Sequence, residues 1–219
     1  MRGIETRIQD IRHMVFTEVA KMAYQEEASV EKHIEKIPYE IIPGDVANFR
    51  NDVFLERAIV GERVRLAMGL PCRDAGNQAP ISEDVEAADR PETYYTPPLI
   101  NIIKFACNAC PEKRLIVTEG CMGCLAHPCM EVCPKDAVHL DRTIGRASID
   151  QDKCIKCGRC ATACSYNAII TQERPCAAAC GMDAIHSDSQ GKAEIDYDKC
   201  VSCGMCLVNC PFGAISDKS

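Results

Sequence analysis

Four times along this chain a cysteine is followed, at the fourth and fifth residues, by Ala and then Ile or Val. The stretches are Cys133-Pro-Lys-Asp-Ala-Val, Cys164-Ser-Tyr-Asn-Ala-Ile, Cys180-Gly-Met-Asp-Ala-Ile and Cys210-Pro-Phe-Gly-Ala-Ile. Upstream of three of them lie cysteine runs: Cys121/Cys124/Cys129, Cys154/Cys157/Cys160 and Cys200/Cys203/Cys206. Of 17 cysteines, sixteen fall between Cys107 and Cys210, and only Cys72 lies outside. Spacing of this kind suits one chemistry: thiolates wrapped around cubane 4Fe–4S clusters, among which single electrons pass. Trp is absent and aromatic residues make up 5 %, so the C-terminal half has little large apolar side chain and must rely on metal centres to fold.

In a bacterial two-cluster ferredoxin, three cysteines of one run bind one cluster and the fourth crosses to the other. Applied here, Cys121, Cys124, Cys129 and Cys164 bind one cluster, and Cys154, Cys157, Cys160 and Cys133 a second. Cys200, Cys203 and Cys206 form another full run, but the half-motif before it keeps only Cys176 and Cys180, and Cys107-x-x-Cys110 is the pair left to complete it. One partition puts Cys107, Cys110, Cys176 and Cys210 on a third cluster and Cys200, Cys203, Cys206 and Cys180 on a fourth. A competing partition puts Cys107, Cys110, Cys176 and Cys180 together and Cys200, Cys203, Cys206 and Cys210 together. Either way sixteen cysteines fill four clusters without remainder. Zinc suits two separated Cys-x-x-Cys pairs and gains nothing from a third cysteine, so it stays an alternative chiefly at Cys107/Cys110/Cys176/Cys180. Disulfides suit a secreted chain, and Met1-Arg-Gly-Ile-Glu-Thr-Arg has no apolar leader core. The expected compartment is therefore the reducing cytoplasm.

The expected architecture is α+β. Residues 1–70 form a helical N-terminal region, 71–98 a Pro-rich linker or insertion, and 99–219 a tandem ferredoxin-like domain of two two-cluster units. Ile4, Ile8, Ile11, Val15, Val19 and Met22 recur at spacings of three and four and predict a helix over 4–23. Pro38 and Pro43-Gly44 break that pattern, and a second helix is expected from about Asn48 to Met68. Leu99–Phe105 reads as a strand leading into Cys107. Ala147-Ser-Ile-Asp-Gln-Asp-Lys-Cys154 and Ala193-Glu-Ile-Asp-Tyr-Asp-Lys-Cys200 each read as a strand entering a cluster loop. Cys72 is expected to be a spectator and His127 a loop cap or hydrogen-bond donor. Lys153 and Lys199 are expected to be solvated.

The formal charge is −7 before any cluster is counted, and four clusters with their thiolates add roughly −8. An anion of this strength is a poor binder of nucleic acid or anionic membrane and suits a partner with a basic face. No apolar run approaches the ~20 residues that span a bilayer.

Beyond the repeats, a longer set of segments carries a resemblance. It comprises Cys107-Asn-Ala-Cys-Pro-Glu-Lys-Arg, Cys121-Met-Gly-Cys-Leu-Ala-His-Pro-Cys129, Asp152-Lys-Cys-Ile-Lys-Cys-Gly-Arg-Cys160, Arg174-Pro-Cys-Ala-Ala-Ala-Cys180 and Cys210-Pro-Phe-Gly-Ala-Ile, with Glu56-Arg-Ala-Ile-Val-Gly-Glu-Arg-Val64 among the helices. Together they resemble the N-terminal iron–sulfur region of the group B iron-only (FeFe) hydrogenases. The resemblance covers nearly the whole chain apart from residues 77–97. It implies an electron-transfer part serving a hydrogenase catalytic partner, with a soluble ferredoxin or similar donor. The Thr-Ser-Cys-Cys-Pro, Met-Pro-Cys and Cys-x-x-Gly-Gly patterns of that family's catalytic domain do not occur, and Ser165 replaces the usual Pro after Cys164. No acid/base pair, nucleophile or substrate pocket is legible, so the chain by itself is not read as an enzyme. A free-standing polyferredoxin carrier is the alternative, and a redox or iron sensor the third reading.

Overall fold

A computed structural model describes residues 5–24, 30–73, 76, 78–90 and 96–218. The chain forms two compact units, one from residues 1–109 with 175–219 and the other from residues 110–174.

The first unit contains a helical layer. Helix α1 (Arg7–Tyr24) buries Ile11, Val15 and Met22, the stripe that the apolar spacing predicts. Helix α2 (Val30–Ile41) differs from the sequence expectation, because Pro38 lies inside it. Ile34, Ile37, Pro38 and Ile41 are all buried at spacings of one, three and four. Pro38 is thus part of the packed stripe, and tertiary burial outweighs the backbone bond it cannot donate. Helix α3 (Val53–Ala67) starts at Asp52, whose carboxylate accepts from the Phe54 and Leu55 amides at 2.7 and 3.1 Å. A cap of this kind contributes about 1 kcal/mol.

Two cores share α3. Val60 and Val64 join the stripes of α1 and α2, while Ile59 and Leu66 join a second core with Ile100, Ile103, Ala214 and Ile215. A helix apolar on all sides is a buried helix. Four of its charged residues, Glu56, Glu62, Arg63 and Arg65, are buried too. Arg65, 2 % exposed, donates to the carbonyls of Pro71, Ile81 and Glu83. Glu62 pairs with Arg73 at 2.7 Å. These bonds fasten residues 78–83 of the Pro-rich stretch onto the helices, and a short 3₁₀ turn (Val85–Asp89) follows. Positions 74, 75, 77 and 91–95 of that stretch lie outside the described residues.

The remaining architecture is written twice. In the first unit β1 (Ile100–Ile102) pairs antiparallel with β8 (Ile215–Asp217), and β6 (Ile185–Ser187) with β7 (Ala193–Ile195). The strand expected over Leu99–Phe105 is shorter, because Lys104–Ala106 turns as a 3₁₀ helix before Cys107. In the second unit β2 (Arg114–Val117) pairs with β5 (Ile169–Gln172), and β3 (Val138–Asp141) with β4 (Arg146–Ile149). Two single-turn helices accompany each set: α4 (Pro128–Glu131) and α5 (Arg159–Ala163) in the second unit, α6 (Pro175–Ala178) and α7 (Met205–Asn209) in the first. The second unit is therefore inserted in sequence between β1 and α6 of the first. The mixture of helices with small antiparallel pairs agrees with the α+β expectation. No helix among the described residues is long and apolar enough to cross a membrane.

Candidate metal centres

The repeated Cys-x-x-x-Ala has a common geometry. The amides of Ala137, Ala168, Ala184 and Ala214 donate to the Sγ of Cys133, Cys164, Cys180 and Cys210 at 3.2–3.4 Å. All four alanines are 2 % exposed or less, so there is no room for a larger side chain. To aim the amide back at sulfur, the preceding residue takes a left-handed turn: Asp136, Asn167, Asp183 and Gly213 have φ between 47° and 59°. Asp, Asn and Gly are the residues that accept this conformation most readily. At Cys133 burial pushes the thiol up, but amides of Lys135, Ala137 and Val138 outweigh it and leave the thiol below its ordinary value. The motif is thus a built thiolate cradle.

A second repeated contact holds the first cysteine of a run. The Ala147 amide donates to Cys121 Sγ at 3.5 Å, and the Ala193 amide to Cys107 Sγ at 3.3 Å. In the first Cys-x-x-Cys pair of each run, the residue before the second cysteine, Ala109, Gly123, Lys156 or Ser202, also turns left-handed.

In the second unit Cys121, Cys124, Cys129 and Cys164 line one cavity of about 210 Å³. Burial pushes the Cys129 thiol up, and neighbouring Cys124 and Cys164 push it further. Cys160 is likewise raised by burial, then by Cys154 and Cys133. Cys157 is exposed. In the first unit Cys180, Cys200, Cys203 and Cys206 line one recess. Burial lifts Cys206 to about 11, with Cys200 and Cys176 adding to the shift. Cys107 and Cys210 accept the amides already described, and Cys176, inside α6, is buried. Cys110 begins the second unit, and its carbonyl accepts from the buried Arg174 guanidinium at 2.7 Å.

Residues outside these sets have plain roles. Cys72 packs beside the second core, and burial lifts its thiol to about 12. His127 sits before α4 at φ 40° and makes no capping hydrogen bond. Lys153 and Lys199 are exposed and lie 3.6 and 2.8 Å from Asp150 and Asp196, which turn the chain into Cys154 and Cys200. The Lys199 hydrogen bond holds the Asp196 carboxyl below the usual range. What the sequence did not disclose are the arginines. Arg50 Nη2 donates to the carbonyls of Ala106 and Phe212, both at 3.0 Å, and Arg63 Nη2 to Gly213 at 2.5 Å. They clasp the chain beside Cys107 and Cys210. Their only sequence signal is charge inside a helix and loop otherwise rich in apolar residues.

A thiolate-only donor set, converging on cavities and furnished with N–H···S bonds, fits iron–sulfur clusters. Residues 146–169 and 192–215 each match the 4Fe–4S binding domain family. A ferredoxin of Alicyclobacillus acidocaldarius subsp. acidocaldarius is 40 % identical over 58 residues, which are 26 % of this chain and 72 % of that ferredoxin. The chain belongs to the ferredoxin family. An uncharacterised ferredoxin of Methanocaldococcus jannaschii is 40 % identical over 67 residues, 29 % of this chain and 43 % of that protein. The polyferredoxin-like subunit of an aliphatic sulfonate oxidoreductase from Pyrococcus furiosus is 38 % identical over 48 residues, 22 % of this chain and 28 % of that subunit. These last two are matched over less than half of their own length. The family match thus places ferredoxin-like 4Fe–4S binding sequence in both units.

Proposed function

We propose that this ferredoxin is the electron-transfer subunit of a larger oxidoreductase, carrying single electrons through four 4Fe–4S clusters to or from a catalytic partner. An iron-only hydrogenase is the first candidate for that partner, and a soluble ferredoxin or similar protein is the external donor. The cytoplasm, where thiols stay reduced, is the matching compartment. The observation that carries the reading is the thiolate cradle built four times, at Cys133, Cys164, Cys180 and Cys210. When bound, the clusters supply one-electron transfer. The protein fixes their ligands, donates amides to sulfur and sets the local charge.

In the second unit we assign Cys121, Cys124, Cys129 and Cys164 to one cluster and Cys154, Cys157, Cys160 and Cys133 to another. For the remaining eight, two repeats favour Cys107, Cys110, Cys176 and Cys210 on one cluster and Cys200, Cys203, Cys206 and Cys180 on the other. Ala193 donates to Cys107 as Ala147 does to Cys121, and Pro175-Cys176 opens α6 as Pro128-Cys129 opens α4. The recess shared by Cys180 with Cys200, Cys203 and Cys206 supports the same division. Cys110 is assigned from its place in the Cys-x-x-Cys pair alone. The hydrogenase partner rests on the sequence resemblance, and a free-standing polyferredoxin is the alternative that the ferredoxin relatives favour.

Iron and acid-labile sulfide on anaerobically purified protein test the count, with about sixteen of each expected per chain. Cys176→Ser is expected to lower iron by about four, or convert one cluster, while signals from the second unit persist. Sixteen irons and unchanged EPR spectra in that variant would refute the ligand set. About twelve irons with one zinc would make the Cys107 set structural. Reduction by hydrogen through a co-purifying hydrogenase tests the partner; turnover with unrelated reductases, without a stable complex, would favour the carrier.

A further inference from the structure

Within the first unit, a cavity of about 290 Å³ lies between the helices and the turn after Cys210. Its volume is close to the lower bound of about 300 Å³ for small-molecule sites. None of the candidate ligand cysteines lines it. Ile8, Ile11, Ile59 and Val60 make an apolar wall, and the Phe49 and Phe212 rings also border the space.

The polar groups on the cavity are mostly of one sign. Arg7, Arg50 and Arg63 line it, against one carboxylate, Glu56. That carboxylate is 3 % exposed and already accepts the amides of Asn48, Phe49 and Arg50. Arg7 lies over the Phe49 ring, 5.3 Å from its centroid, and its ion pair with Asp10, at 3.6 Å, is exposed. Arg63 is the decisive group. Its side chain is 5 % exposed, one nitrogen donates to Gly213, and Nε is buried with no hydrogen-bond partner among the described residues. Gly213 is the guanidinium's one acceptor among the described residues, and an anion in the adjoining cavity would offset the cost of burying its charge.

We propose that this cavity is a binding site for a small amphipathic carboxylate, its aromatic or branched body against the isoleucine wall and its anionic group turned toward Arg63. A carboxylate matches the planar guanidinium fork, and the seat for an apolar body separates this ligand from inorganic anions. The site is distinct from the thiolate sets, since no cysteine lines it.

Calorimetry on the cluster-loaded full chain, kept anaerobic, with 1-naphthoate as probe and 1-naphthalenemethanol as its neutral counterpart, tests the proposal. Saturable one-to-one binding of naphthoate, at least tenfold tighter than the alcohol, is expected. Ile8→Trp, which fills the cavity and leaves every arginine, should weaken naphthoate at least tenfold with iron content unchanged, and Arg63→Met, which removes the buried charge, should weaken it at least as much. Absence of saturable binding, equal affinity for the two probes, or full retention in Ile8→Trp would overturn it. If either variant loses iron, the comparison of the two probes on the unaltered chain decides alone.

Discussion

Left-handed residues are placed with unusual regularity around the sulfurs. Asp136, Asn167, Asp183 and Gly213 turn the next residue's amide back onto a cysteine, and Ala109, Gly123, Lys156 and Ser202 turn the first Cys-x-x-Cys pair of each run. For Ala109 and Lys156 that conformation costs about 1–2 kcal/mol. It persists because the thiol cradle and its cluster need it. The repeat was legible in the sequence as a repeat, down to the conserved spacing of Cys and Ala within the chain. Its reason was not legible, since an N–H···S bond leaves no separate mark on residue types. Gly123 tests the point. A Cβ there would lie 2.1 Å from the Gly145 carbonyl oxygen, a backbone atom at the β3–β4 turn. Gly145 has a similar left-handed φ, yet a Cβ on it meets nothing within 4 Å. Gly123→Ala is expected to cost about 2–4 kcal/mol and about four irons per chain, by displacing the Cys121–Cys124 loop. Gly145→Ala should cost about 1 kcal/mol and keep its iron. Thermal melts with iron analysis distinguish the two, and equal behaviour would show that conformation rather than contact limits both sites.

Among the elements, the helices show where sequence reading succeeds and where it stops. The stripe of α1 was readable from its spacing because one face meets a core and the other meets water. Helix α2 is not legible because Pro38 reads in sequence as a breaker, whereas Pro38 is buried with Ile34, Ile37 and Ile41. In α3 the apolar residues were readable but the buried Glu56, Glu62, Arg63 and Arg65 were not, since a charge on a helix ordinarily means solvent. Their partners are carbonyls, amides and the Arg73 guanidinium, from 6 to 150 residues away, which periodicity cannot reveal. One of those long links bears on redox chemistry. Glu56 fixes the Asn48–Arg50 backbone, and Arg50 then reaches the carbonyls of Ala106 and Phe212, next to Cys107 and two residues beyond Cys210. A cation held there favours the more negative, reduced state of a neighbouring cluster. Arg50→Gln should therefore lower one midpoint potential by roughly tens of millivolts, 59 mV being a tenfold change for one electron. EPR-monitored redox titration reads this directly. Unchanged potentials with full iron content would show that Arg50 only ties loops together.

At the scale of the whole molecule, the cysteine motifs repeat in two sets, and the structure nests one set within the sequence of the other. Residues 110–174 form one unit, while the other draws on residues both before and after it. Cys107 is thereby separated in sequence from Cys176 by an entire module, although the hairpin it serves, β6–β7, repeats β3–β4. Pairings such as β1 with β8 span most of the cysteine-rich half and depend on topology, which local pattern does not encode. Charge, by contrast, was fully legible. The chain carries −7 without clusters, and cluster thiolates make it more anionic still. Electrostatic steering then assigns a sign to its partners: a basic acceptor should react faster at low salt and an acidic one faster at high salt. Stopped-flow oxidation of the reduced chain by a basic cytochrome c should slow by roughly tenfold between about 20 and about 300 mM salt, while an acidic ferredoxin should show the opposite slope. The second comparison matters most, because a soluble ferredoxin is the proposed donor and its charge opposes docking on an anionic surface. A rate with the acidic ferredoxin that falls as salt rises would locate a basic docking patch on this chain. A rate that rises is the expected outcome and would mean that like charge on the two proteins opposes their encounter.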